Sequence, residues 1–227
     1  MVSESLSEEL EKLKNKLMKM GRLLEEQIYK SVKALVDKDI KLAYEVINND
    51  DIIDNMELEI EKRALCLIAL KQPMAKDLRL IATIMKMIGD IERMADHAAN
   101  IAQITIDLYD QAYIKPLIDI PRMAKISQDM IQKTLKAFMD QDVELAMSLV
   151  PMEKEINALY DQIFRELLSY MMQDSKNIPQ STRLLLVAKN LERVGDHATN
   201  LAEMAIYLVK GQRVDLNKLA HARRREG

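Results

Sequence analysis

The 227-residue chain has no tryptophan, two phenylalanines, and only five glycines and five prolines. So few turn-forming residues leave little material for the tight corners of a sheet protein. A single cysteine, Cys66, excludes an internal disulfide. It lies in the apolar run "ALCLIAL", where a buried, inert thiol is expected. No apolar run approaches the ~20 residues that span a bilayer. The opening stretch "MVSESLSEELEKL" is polar and acidic, unlike a signal peptide, so a cytoplasmic location is expected. The net charge of −3 gives the body of the protein no attraction for nucleic acid. The basic exception is the run "HARRREG", read as the end of a solvated tail over 212–227. There is no Gly-rich phosphate loop, no Ser-His-Asp candidate and no Cys/His metal cluster, so neither catalysis nor an organic cofactor is expected.

What is abundant is Leu, Ile, Ala, Met, Glu and Lys, the vocabulary of long helices. Sixteen methionines suit a core filled by flexible aliphatic chains. Apolar residues recur every three or four positions over 3–36, from Leu6 through Leu13, Leu17 and Leu24 to Ile28. "DKD" at 37–39 interrupts, and Asp39 is placed to cap the next helix. The pattern resumes over 40–71, with Leu42, Val46, Ile53, Ile60, Leu67 and Leu70, until Pro73 ends it. A third helix is expected over 76–111. The stretch "YIKPLIDIPR" holds two prolines and reads as a linker. Beyond it the pattern starts over: helices are expected over 119–139, over 141–172 with Pro151 kinking or dividing it, and over 181–210 with Gly211 as its stop. The reading is all-α, a tandem repeat of two antiparallel three-helix bundles, at 1–113 and 119–211.

The repeat is visible residue by residue. Residues 87–108 and 187–208 share nine identities in 22 positions, centred on "ERMADHAAN" and "ERVGDHATN". Ile84, Ile88, Ile91, Ala95, Ala98 and Ala102 track Leu184, Ala188, Leu191, Gly195, Ala198 and Ala202 on one stripe. The small residues at its end permit close backbone approach.

Glu92 and Asp96 are four apart, as are Glu192 and Asp196, so each pair shares a helix face where like charges repel by a few tenths of a kcal/mol. The preceding helix of each half answers with a second pair: Asp50 and Asp54 in the first, Glu153 and Asn157 in the second. Two facing pairs make a cluster of four oxygen side chains. Such a cluster takes up protons, recruits Arg or Lys, or binds a cation. Hard oxygen ligands suit magnesium, calcium, manganese or ferric iron, with zinc a further option. The competing reading is a set of solvated ion pairs with Arg93 and Arg193. His97 and His197, about 100° round the helix from the acids, fit a hydrogen-bonding role, behind the acids or at the surface, better than ligation. Asn100 and Asn200 lie on the acid face and supply either a carbonyl oxygen or a bond to the neighbouring helix.

The duplicated "ER-x-x-DHA-x-N" helices, the "DLRLI" lead-in at 77–81 and the "DDIIDNMELEIE" helix resemble the PhoU family over roughly residues 5–210. The resemblance implies paired three-helix bundles, frequent homodimers, and iron or zinc clusters at Glu/Asp-x-x-x-Asp motifs. By position these motifs fall on Asp50/Asp54, Glu92/Asp96, Glu153/Asn157 and Glu192/Asp196, with Asn157 departing from the pattern. It also implies a cytoplasmic negative regulator of the phosphate-starvation response. Its partners would be the ATPase subunit of the high-affinity phosphate ABC transporter and a phosphate-sensing histidine kinase, with membrane contact only through them. A carboxylate-bridged helical-bundle metalloenzyme or metal store is the alternative that the paired acids leave open.

Overall fold

A computed structural model of the chain describes residues 5–216 and 218, among which every regular element is helical. The first half comprises α1 (Leu6–Asp37), α2 (Ile40–Asn48), α3 (Asp50–Lys71) and α4 (Ala75–Leu108). The second comprises α5 (Asp119–Asp140), α6 (Val143–Met147), α7 (Val150–Gln173) and α8 (Ile178–Lys210), with one 3₁₀ turn, Ser175–Asn177, before α8. The basic run at 223–225 lies outside the described residues, as do residues 1–4.

The two halves use the same local chemistry. α1 ends on Lys38 at φ 55° and α5 on Gln141 at φ 54°. Asp39 then accepts the Leu42 N–H and Asp142 accepts the Leu145 N–H, which caps the short helices α2 and α6. Ser5 and Glu8 form a reciprocal capping box at the start of α1. Gly211, at φ 73°, closes α8 as expected.

Two expected helices are each divided in two. The break in 40–71 falls at Asn49, where no proline or glycine signals it. The break in 141–172 falls at Ser148–Leu149, and Pro151 is the second residue of α7, where its missing N–H costs nothing.

The two bundles pack directly on one another. α1 packs on α5 and α4 packs on α8, and one continuous apolar core runs through all four long helices. α3 lies against α1 and α4, while α7 lies against α5 and α8. At Gly21 an added Cβ would meet the end of the Leu135 side chain, which packs onto this glycine where α1 approaches α5. Gly195 stands likewise where α8 meets α7, with Ile156 Cδ1 at 3.0 Å from the position of its Cβ. The expected linker is held down on both sides. The Tyr113 hydroxyl donates to Leu35 O at 2.5 Å, the Ile114 N–H donates to Gln180 Oε1 at 2.6 Å, and the buried Lys115 pairs with Glu166.

Two side chains correct the sequence reading. Cys66 is exposed, and Leu70 is 79% exposed. Both lie toward the end of α3, where Leu67 is the residue that turns inward.

Candidate functional site: an acid face on each half

The α4 stripe is buried throughout, which fixes the rotation of α4 and carries Glu92 to its edge, beside α3. Asp50 and Asp54 come from the first two turns of α3, held by the buried Ile53 and Ile60. Glu57, one turn beyond Asp54, joins them. The sequence motif missed it because the motif counts steps of four and Glu57 stands three from Asp54. The signal for it was the ladder Asp50, Asp54, Glu57 along one helix face.

These carboxylates feel one another across the α3–α4 seam. Burial pushes Asp50 up to about 6, with repulsion from Asp54, Asp96 and Asp51 adding to it. Burial likewise raises Asp54, reinforced by Asp96 and Asp51. Glu57 is raised by burial and by Glu61 and Asp54, against the pull of Arg93. Glu92 is raised by burial, then by Asp96, Glu57 and Asp54. Asp50 Oδ1 and Asp54 Oδ1 are buried with no hydrogen-bond partner, a costly state for a carboxylate unless a proton or a cation satisfies it.

The expected convergence of four oxygen ligands is not reached with these side-chain positions. Among the described residues, no three Asp, Glu, His or Cys side chains stand close enough to hold one ion. What exists on the first half is a face of mutually repelling acids with two orphaned oxygens. Its donor chemistry fits a hard cation, and completing a ligand set requires side-chain rotation. The solvated ion-pair reading fares no better: neither Arg93 nor Arg193 lies within ion-pair distance of a carboxylate among the described residues.

The second face is built differently. Glu192 and Asp196 occupy the same edge of α8, but Glu192 is paired with Lys189 at 2.6 Å. Lys189 Nζ also sits 5.3 Å from the Tyr160 ring centroid, within cation–π range. Burial and Glu192 raise Asp196, opposed by Lys189 and Arg193. Asn157 is exposed and Glu153 partly buried.

The histidines make hydrogen bonds, but not to the paired acids. They reach across the α4–α8 seam to the other half. His97 Nδ1 lies 2.9 Å from Asn190 Oδ1, and His197 Nδ1 lies 2.8 Å from Asp90 Oδ1. Asn190 uses its amide N–H₂ on Leu186 O, so its oxygen faces His97 and the ring N–H donates. The two rings are 5.9 Å apart. Burial holds His97 below its ordinary value. Arg93 and Asn200 line a polar groove of about 370 Å³ between α4 and α8, with Lys86, Asp90 and Glu203. Asn100 is exposed. Asp90 and Asn190 were missed because they differ between the halves and so fell outside the shared motif.

No helix among the described residues is long and apolar enough to cross a membrane. The PhoU domain model matches the chain twice, over residues 17–105 and 120–205. A phosphate-specific transport system accessory protein PhoU homolog of Clostridium acetobutylicum is 38% identical over 96% of this chain and all of its own. The homolog of Aquifex aeolicus is 42% identical over 91% of this chain and 94% of its own. The crystal structure of PhoU from Pseudomonas aeruginosa superposes with a TM-score of 0.88, at 37% identity over 92% of this chain and all of that one. That of the phosphate transport system regulatory protein PhoU from Streptococcus pneumoniae gives 0.86, at 31% identity over 93% of this chain. With two repeats of the domain, the same all-helical fold and full-length relatives, the chain belongs to the PhoU family.

Proposed function

We propose that this protein is a cytoplasmic, non-enzymatic regulator of phosphate uptake and phosphate-starvation signalling. It acts as an adaptor between the ATPase subunit of a high-affinity phosphate transporter and a phosphate-sensing histidine kinase. It works as a homodimer and meets the membrane only through these partners. The observation that carries the reading is the family match in both halves, to relatives named as accessory proteins of the phosphate-specific transport system. The outward faces of α3 and α7 add support. Leu58 and Leu65 on one, and Phe164 and Leu168 on the other, are exposed apolar side chains on long rigid rods, the kind of surface that docks a protein partner.

The first acid face is proposed to take a metal cation that oxygen ligands hold, such as magnesium, manganese, ferric iron or zinc, bound by Asp50, Asp54, Glu57, Glu92 and Asp96. The ion would supply positive charge to a face that otherwise repels itself. The support is the pair of orphaned buried oxygens together with the carboxylates pushed upward around them.

The test is co-purification of the full chain with the transporter ATPase and with the kinase's cytoplasmic portion, each with and without manganese(II). Retention of either partner, weakened by Leu58→Asp or Phe164→Asp, supports the adaptor reading. Retention of neither under both conditions removes it.

A further inference from the structure

The two acid faces share one pattern, yet positions around them differ, and three that line the faces differ in the same electrostatic direction. Pairing Ile53 with Ile156 and Ile91 with Leu191 sets the register. Asp54 then corresponds to Asn157, Glu57 to Tyr160, and Gly89 to Lys189. The first face carries five carboxylates: Asp50, Asp54, Glu57, Glu92 and Asp96. The second keeps three, Glu153, Glu192 and Asp196, and gains an ammonium. Arg93 and Arg193 occupy one and the same position and do not distinguish the faces.

Geometry assigns that ammonium a place. Lys189 Nζ bonds Glu192 Oε2 at 2.6 Å and lies over the ring of Tyr160, the residue that stands where Glu57 stands in the first half. On the first face the corresponding position is open. A Cβ built on Gly89 meets only Glu57 Oε1, at 3.5 Å, an ordinary contact. Buried unpartnered carboxylate oxygens follow the same division. Asp50 Oδ1 and Asp54 Oδ1 on the first face are orphaned, and no oxygen of Glu192 or Asp196 is.

We propose that Lys189 is the resident counter-cation of the second acid face, so that this chain takes up a metal ion at the α3–α4 face alone. An ammonium with three donors and one positive charge satisfies a carboxylate as an ion would, but without a ligand shell. Losing two carboxylates and gaining one cation also removes most of the attraction for a divalent ion. Position 89/189 thereby decides which half is metal-dependent. The inference rests on the proposed cation at the first face, but the role of Lys189 is testable without it.

The experiment uses the full chain, stripped with chelator and titrated with manganese(II), with free ion counted by electron paramagnetic resonance. The wild type is expected to bind at one face. Asp54→Asn/Glu92→Gln abolishes this binding, and Glu192→Gln/Asp196→Asn leaves it intact. Gly89→Lys closes the first face and weakens binding by at least about tenfold; it replaces a mid-helix glycine and is expected to fold. Lys189→Ala/Tyr160→Glu opens the second face and adds a further class of sites. Wild-type binding that needs Glu192 and Asp196, or no added sites in Lys189→Ala/Tyr160→Glu, overturns the inference. If the wild type binds no manganese at all, the proposed cation fails, and Lys189 is judged in metal-free protein by melting temperature. There Lys189→Ala is expected to lower it and Glu192→Gln on that background to restore part of the loss. An unchanged melting temperature in Lys189→Ala then overturns the inference.

Discussion

Asparagine at position 50 should make the metal-free protein more stable at neutral pH and less pH-sensitive. In the folded state Asp50 is pushed from 3.8 to about 6, by burial first and by Asp54, Asp96 and Asp51 next. At about 1.36 kcal/mol per unit, that rise corresponds to an upper bound of about 3 kcal/mol. Asp50 is only partly buried, and water screening leaves roughly half, about 1.5 kcal/mol. The carboxylate also sits in the first turn of α3, where the helix dipole favours it by about 0.5 kcal/mol. The net gain for Asp50→Asn above pH 6 is therefore about 1 kcal/mol, or a melting-temperature rise of roughly 2–4 °C for a chain of this size. The sign with pH comes from proton binding. Between about 4 and about 6 the folded protein holds a proton that the unfolded chain has released, so wild-type stability falls as pH rises through this window. Below about pH 4 Asp50 is neutral in both states, and the advantage of asparagine disappears. The assay is thermal unfolding followed by circular dichroism with chelator present, at pH 7.5 and pH 4.5. A variant less stable than wild type at pH 7.5, or a gain equal at both pH values, would refute the reasoning.

The matched caps of α2 and α6 give a test of the repeat. Asp39→Ala and Asp142→Ala should each cost about 1 kcal/mol in denaturant unfolding. With no shared partner, the double variant should lose the sum. Gly195→Leu should cost about 1–3 kcal/mol, because its side chain enters the space of Ile156 Cδ1. Ile156→Ala on that background should recover part of the loss in the same measurement.

The long helices were legible because their apolar stripes are unbroken. Every residue from Ile84 to Ala102 named on the α4 stripe is buried, and the glycine stop and the Asp39 cap fall where the sequence puts them. The division at Asn49 was not legible. Asn49 is in ordinary right-handed helical conformation, and the apolar spacing continues across it. Cys66 and Leu70 were misplaced for a related reason. The run "ALCLIAL" is apolar all round, so periodicity cannot tell its inner face from its outer one. The acid faces were half legible. The shared motif marked Glu92, Asp96, Glu192 and Asp196 because both copies keep them, whereas Glu57, Gly89 and Lys189 carry the difference between the copies. A comparison that counts identities discards such positions. The joining of the halves was hidden too, since an apolar stripe shows that a helix has a buried face but not which helix covers it.

The hydrogen bonds of His97 and His197 have a consequence for how the polypeptide can be cut. Each ring finds its acceptor on the opposite repeat, and the apolar flanks of α1 and α4 are covered by α5 and α8. A nick between Leu108 and Asp119 would sever the backbone yet leave these matched surfaces on two fragments. Such fragments are complementary pieces of one molecule: mixed together they rebuild the seam, while either piece by itself is left with a greasy flank and imidazole nitrogens that have lost their acceptors.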